Sequence, residues 1–257
     1  MSAEFVETFT GSDGTEIDSR NSDSGHSWTE TTIYGSGNNA GKITSNKLKC
    51  ANSSGALYYS GWSPSSADYG LTADYVYNGS TAADGIDLYL RKTADNTFTA
   101  YRFRVYYDTV TSKLAFIIQG VSSGSQANFS SASTGTLESG YLVDRITAPA
   151  NGTSYHLRFE CSGNTITAYR DGTKILEGVG TGPTATGKAG LAIYGTTGSA
   201  APTLDNLQSI VASQTYTADA IIVNPPITTT YTADLLLRGT RAYTADAMVR
   251  DIISDVF

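Results

Sequence analysis

Charge is scarce in this 257-residue chain: Asp, Glu, Lys and Arg together make up 16% of it, against about a quarter in ordinary soluble domains. The Ala-, Leu-, Glu- and Lys-rich runs that build long helices are nearly absent. No block of Lys or Arg occurs and the net charge is −7. The basic stripe that a phosphate backbone demands is therefore missing, which argues against a nucleic-acid partner. No apolar run approaches the roughly 18 residues that cross a bilayer, so no membrane insertion is expected. The opening MSAEFVETFTGSDG has neither a basic nor an apolar signal region, and synthesis in a cytoplasm without a secretory signal is the expectation.

Cysteine and histidine are equally sparse. Cys50 and Cys161 are too few for a disulfide framework. Each ends a strand-like run, and buried free thiols are the expected state in a reducing compartment; a single staple stays open for a chain that ends outside the cell. His26 and His156 are the only histidines, and neither has a second nitrogen or sulfur ligand at metal spacing.

Gly, Ser and Thr fill the gap, together with 17 Tyr, a mixture suited to many short strands joined by tight turns. From Glu4 to about Val211 short alternating segments recur between Gly, Asn, Asp and Ser clusters. LTADYVYNG puts Leu71, Ala73, Tyr75 and Tyr77 on one face. GIDLYLRK turns Ile86, Leu88 and Leu90 inward and Asp87, Tyr89 and Arg91 outward. AYRFRVYYD sends Tyr101, Phe103, Val105 and Tyr107 one way and Arg102, Arg104 and Tyr106 the other, with KLAFIIQG as its hairpin partner. YHLRFEC buries Tyr155, Leu157 and Phe159 and exposes His156, Arg158 and Glu160 as solvated surface or a subunit contact. Asp171-Gly172 is the strongest hairpin signal. A period of two over so many segments means an all-β fold of two antiparallel sheets packed face to face.

The composition changes after about residue 212, which divides the chain into a head, 1–212, and a tail, 213–257. The tail repeats one phrase three times, Tyr-Thr-Ala-Asp followed by apolar residues, with Tyr216 and Asp219, Tyr231 and Asp234, and Tyr243 and Asp246 as its fixed points. Each copy is too short to fold alone. Runs such as Ile221-Ile222-Val223 and Leu235-Leu236-Leu237 invite aggregation unless docked on a neighbour. A closing helical turn with Met248, Ile252 and Val256 on one face is the expectation at the end.

The opening phrase Phe9-Thr-Gly-Ser-Asp-Gly-Thr, with Arg20, Ser22-Asp23, Gly25 and Trp28, resembles the start of concanavalin A-like lectin/glucanase (laminin G-like) domains. YHLRFECSGNTITAYRDG, GKAGLAIYG and TLDNLQSI resemble their later strands. The resemblance covers about residues 4 to 211. It implies a jelly-roll sandwich whose first and last strands lie side by side. The Tyr-Thr-Ala-Asp copies look like repeats appended to phage virion proteins. Together these imply a non-enzymatic structural protein of a phage virion or surface assembly (decoration, tail or fibre component), with a lectin-like head, an anchoring tail and other virion subunits as partners in a homo-oligomer. The alternative is a carbohydrate-binding module or adhesin recognising cell-surface glycans, placed on an extracellular surface. A glycoside hydrolase is the weaker alternative.

The resemblance directs attention to three kinds of site. A glycan site needs aromatic platforms beside polar groups, and Tyr58, Tyr59, Trp62, Tyr89 and Tyr106 are the candidates. Hydrolysis needs paired carboxylates about 5–9 Å apart; the one near match to the family's acidic pattern, Glu16-Ile-Asp18, lacks its third acid, so no catalytic residue is expected. No cofactor is expected beyond a structural calcium ion, for which Asp205 on the closing strand and Glu7 on the opening one are the candidate ligands. Gly182-Pro-Thr-Ala-Thr-Gly187-Lys188-Ala189 echoes a phosphate-binding loop, but Ala189 replaces the magnesium-binding hydroxyl and a strand rather than a helix follows. A hairpin loop is the expectation there.

Overall fold

Alternation of apolar and polar residues dictates strands, and strands dominate the computed structural model, which describes residues 4–31, 41–51, 56–78, 84–93, 99–122, 125–127, 129–195 and 201–211. The only helical element among them is a 3-10 turn, Ile17–Ser19. The tail from 213 on, with its repeats and closing turn, lies outside the described residues.

The first sheet contains β1 (Val6–Glu7), β3 (Gly41–Ile43), β4 (Leu48–Cys50), β6 (Tyr69–Tyr77), β11 (Phe129–Thr134), β14 (Thr153–Ser162), β15 (Thr165–Arg170), β16 (Thr173–Gly180) and β18 (Thr203–Val211). Their order is β11-β16-β15-β14-β6-β18-β4-β3, with β1 also on β18. The second contains β2 (Trp28–Thr31), β5 (Ala56–Ser60), β7 (Gly85–Lys92), β8 (Thr99–Asp108), β9 (Lys113–Ser122), β10 (Ser125–Ala127), β12 (Thr136–Glu138), β13 (Tyr141–Thr147) and β17 (Lys188–Tyr194). Their order is β12-β13-β9-β8-β7-β17-β5-β2, with β10 on β9. The result is a two-sheet antiparallel jelly-roll sandwich. Its first and last strands pair as the resemblance implied, Val6 against Gln208 and Glu7 against Leu207.

The shared layer is filled as alternation predicts. Leu71, Ala73, Tyr75 and Tyr77 meet Ile86, Leu88, Leu90, Tyr101, Phe103 and Val105 in one buried cluster. Phe103 lies 5.6 Å from Phe159 across it, centroid to centroid. The β15–β16 hairpin turns at Asp171-Gly172, both at positive φ (51° and 78°), the backbone that Asp-Gly adopts at least cost. Cys50 and Cys161 are buried thiols, and desolvation pushes the Cys161 thiol up to about 12.

Three expectations need correction. Glu160 is buried, not exposed. Residues 181–187 do not close a hairpin: β16 belongs to the first sheet and β17 to the second, so this loop crosses between sheets. Arg91 does not point outward with Asp87 and Tyr89. A bulge interrupts the β7–β17 register, and Arg91 sits in it at φ 54°. There it is almost wholly buried, donating from Nε to the Ala67 carbonyl (2.8 Å), from Nη1 to the Pro183 carbonyl (3.0 Å) and from Nη2 to Asp68 (3.0 Å). An extra residue in one strand resets the alternation, which returns Lys92 to the same face as Tyr89.

Candidate binding face

Cross-strand register assembles the outer face of the second sheet into three rows. Tyr59 opposes Gly190, Gly190 opposes Tyr89, Tyr89 opposes Arg102, and Arg102 opposes Gln119. The next row runs Leu57, Ala192, Asp87, Arg104, Ile117 and Val143. The third runs Tyr194, Gly85, Tyr106, Ala115 and Arg145. Facing residues on neighbouring strands lie within side-chain reach, so period-two residues from six strands converge on one surface.

At its centre lies a polar network. Asp87 is fully buried. Its carboxylate accepts hydrogen bonds from Arg104 Nε (2.8 Å) and Nη2 (3.0 Å), from the Tyr89 hydroxyl (2.9 Å), from the Tyr194 hydroxyl (3.1 Å) and from Arg102 Nη1 (3.5 Å). Arg102 also donates to the Gln119 side chain. Burial alone would raise the Asp87 carboxyl, but the adjacent Arg104 and Arg102 guanidiniums and these hydrogen bonds outweigh it and hold its pKa below the ordinary value. The network fixes side chains that would otherwise be mobile. Half-buried Arg104 lies 5.1 Å from the Tyr194 ring centroid and 5.9 Å from that of Tyr106, within cation–π range.

Towards β5, Gly190 leaves the sheet bare between Tyr59 and Tyr89. A Cβ there would stand 2.9 Å from the Tyr58 carbonyl and 3.4 Å from the Tyr89 Cβ. Lys92 Nζ lies over the Tyr59 ring at 4.2 Å from its centroid and Lys188 Nζ at 5.1 Å.

Three of the five aromatic candidates, Tyr59, Tyr89 and Tyr106, thus share this face. Tyr59 and Tyr106 are half-buried, and Tyr89 is fully buried within the network. Tyr58 and Trp62 do not belong with them, which corrects the expectation. Tyr58 is on the inner side of β5, fully buried, and its hydroxyl accepts from the Gly41 amide at 2.9 Å. Trp62 stacks on Phe5 and meets Tyr69 edge-on; a sugar cannot reach either.

The two candidate calcium ligands are not brought together. Glu7 is fully buried, and its carboxylate accepts from Arg20 Nη1 (2.8 Å), the Phe9 amide (2.6 Å) and Trp28 Nε1 (3.2 Å). Asp205 opposes Asp74 on β6 and accepts from the Asn206 amide at 2.8 Å. Among the described residues no cluster of three or more acidic, His or Cys side chains is arranged to hold a metal. Glu16 forms an ion pair with Lys42 at 3.3 Å while Asp18 sits in the 3-10 turn, away from any central strand.

Sequence reasoning missed Tyr194, Gln119, Lys92 and Lys188 as members of the face. Arg102 and Arg104 were visible as outward residues, but nothing in a period of two names their partners on neighbouring strands.

No protein-family model matches the sequence, and no curated protein matches it. Solved structures do match. A glycosyl hydrolase family protein from Mycobacterium fortuitum superposes with a TM-score of 0.52 at 14% identity, covering 82% of this chain and 100% of that one. The carbohydrate binding module CBM66 from Bacillus subtilis gives 0.45 at 15% identity, over 81% and 98%. A legume lectin-like domain from Entamoeba histolytica gives 0.46 at 8%, over 71% and 89%. The likeness is one of fold.

Proposed function

We propose that the protein binds carbohydrate on the outer face of its second sheet. The observation that carries this reading is the row arrangement itself: half-buried Tyr59, Tyr106, Tyr194 and Arg104 stand over a buried floor of Asp87, Tyr89, Arg102 and Gln119. Sugars present an apolar ring face and a fixed set of hydroxyls, and they are matched by aromatic planes beside rigidly held donors and acceptors. The glycosyl hydrolase family protein from Mycobacterium fortuitum shares the fold.

Binding rather than turnover is the reading the chemistry favours. Hydrolysis requires a carboxylic acid that holds its proton beside a second carboxylate about 5–9 Å away. In the three rows Asp87 is the only carboxyl, and its depressed pKa and tight partners make it a structural anion rather than a proton donor.

The test is a glycan array probed with the full chain, followed by calorimetry on the best ligand. Tyr59→Ala weakens binding by roughly tenfold, about 1.4 kcal/mol, while the protein stays folded, whereas Arg158→Ala on the opposite sheet leaves affinity unchanged. Absence of any saccharide ligand, or equal losses from both variants, rejects the reading.

The three Tyr-Thr-Ala-Asp copies support a second role, in which residues 213–257 fasten the head into a virion or other assembly of like subunits. A chain truncated after 213 then stays soluble but fails to incorporate; normal incorporation refutes anchoring.

A further inference from the structure

The third row of the outer face alternates in size as it crosses the second sheet. Tyr194 on β17 opposes Gly85 on β7, Gly85 opposes Tyr106 on β8, Tyr106 opposes Ala115 on β9, and Ala115 opposes Arg145 on β13. Every second strand thus presents a planar group, a phenol or a guanidinium, and the strands between them present almost nothing. A Cβ on Gly85 would run into the Val105 carbonyl and the Tyr106 Cβ, so the packing of β7 on β8 excludes a larger residue at that place.

Small residues let the planar groups lie down on the sheet instead of standing up from it. Tyr106 and Tyr141 pack against Ala115, Ile117 and Val143, and Tyr194 packs against the cluster that contains Leu57, Tyr89 and Ala192. Arg104 fills the interval between the first two rings, its guanidinium carbon 5.1 Å from the Tyr194 centroid and 5.9 Å from that of Tyr106.

These groups are held at their edges. Asp87 accepts from the Tyr194 hydroxyl (3.1 Å) and from two nitrogens of Arg104 (2.8 and 3.0 Å). Glu138 on β12 accepts from Arg145 Nη1 (2.6 Å) and Nη2 (2.9 Å) and from the Tyr141 hydroxyl (3.4 Å). Solvent still reaches them: the Arg104 and Arg145 side chains are 24% and 22% exposed, and Tyr106, Tyr141 and Tyr194 are half-buried. A ligand therefore meets planes that are already ordered, and little entropy is lost in fixing them.

The length of the row sets the size of the ligand. Four strand-to-strand steps separate β17 from β13. At about 4.8 Å each they make roughly 19 Å, near the length of about four sugar rings linked end to end. A single terminal sugar would cover one plane and leave the others in water. We propose that the face takes an internal stretch of an extended, β-1,4-linked glycan, laid across the strands from Tyr194 over Arg104 and Tyr106 to Arg145. The inference rests on the carbohydrate-binding reading and assigns the ligand class of that face. Equatorial β-1,4 links draw a sugar chain out into a ribbon whose ring faces repeat along a line, whereas α-1,4 links coil it.

Calorimetry on the full chain compares β-1,4-linked oligomers of glucose, xylose and N-acetylglucosamine at two and five units, with α-1,4-linked maltopentaose as a further arm. At least one β-linked pentasaccharide binds tenfold or more tighter than its disaccharide, the gain expected when a ligand reaches further planes, and tighter than maltopentaose. Tyr106→Ala and Arg145→Gln each remove most of that gain, and Arg158→Ala on the first sheet removes none. The length series is read on the unaltered protein, so it needs no variant to fold. A gain below tenfold in all three series, or maltopentaose binding as tightly, overturns this inference. Carbohydrate binding still stands in that case if a glycan-array ligand binds and Tyr59→Ala weakens it. Failure of every saccharide to bind overturns both.

Discussion

On the outer face of the first sheet, Asp74 pairs with His156 at 2.8 Å, and the two side chains are 41% and 56% exposed. On the outer face of the second, Asp87 pairs with Arg104 at 2.8 Å and is not exposed at all. Both acids occupy the polar phase of an alternating strand, both gain a basic partner on the next strand, and both have a pKa below the ordinary value. Water separates them. Around Asp74 solvent competes for the contact with His156; around Asp87 the protein itself supplies donors from Arg104, Arg102, Tyr89 and Tyr194. A face built that way is rigid before any ligand arrives, which is what a recognition surface needs.

The sharpest way to break this contrast is to neutralise each acid in turn. Asp87→Asn strands two guanidiniums beside a neutral amide in a buried setting and should cost about 3–5 kcal/mol. Asp74→Asn disturbs an exposed pair and should cost less than about 1 kcal/mol. Denaturant unfolding of the two variants reads both values; comparable losses would mean that the two faces are energetically alike.

Arg91 tests how far the second face depends on its bulge. Arg91→Leu keeps the volume buried but removes the guanidinium donor shared by Asp68 and the Ala67 and Pro183 carbonyls. Roughly 2–4 kcal/mol is the expected loss. Because the 181–187 loop loses its tether, amide exchange there should rise more than in the β15–β16 hairpin, and equal exchange in both would show that the loop is held by other means.

The acid limb of stability gives a smaller effect of known sign. Asp87 titrates below the unfolded carboxyl, so its ionised form stabilises the fold fully above about pH 4, the unfolded value. That contribution is lost as the pH falls through the lower folded value. Wild-type stability should therefore drop as the pH falls below about 4, and Asp87→Asn should drop less. Equal slopes for the two proteins would mean that other carboxyls set the acid limb.

The same contrast marks what could be read from the sequence. Alternation located the inner layer, from Leu71 to Tyr77 and from Tyr101 to Tyr107, because the hydrophobic effect acts on every second residue whatever the topology. The Asp171-Gly172 turn was legible because its backbone requirement is local. Alternation states on which side of a sheet a residue falls, not whether that side is wet, so it puts Asp87 and Tyr89 outward with no sign of their burial. In Tyr58-Tyr59 either ring fits the inner phase, and only the pairing of Tyr59 with Gly190 decides it. The bulge at Arg91 inverts the phase of the two cations that follow Leu90, and a dipeptide of Arg and Lys carries no sign of it. The 181–187 loop crosses between the sheets, a long-range fact invisible to any local pattern.

The finest test compares two buried tyrosine hydroxyls. That of Tyr89 donates to Asp87 at 2.9 Å, whereas that of Tyr75, in the layer between the sheets, has no hydrogen-bond partner among the described residues. A hydroxyl desolvated without a partner opposes folding, and one that is bonded to a charge assists it. Tyr89→Phe should then cost about 1–2 kcal/mol, while Tyr75→Phe should be neutral or add up to about 1 kcal/mol. Paired denaturation curves measure the difference. A loss in Tyr75→Phe as large as that in Tyr89→Phe would place an ordered water on the inner hydroxyl, and the layer between the sheets would then be wetter than the polar face outside it.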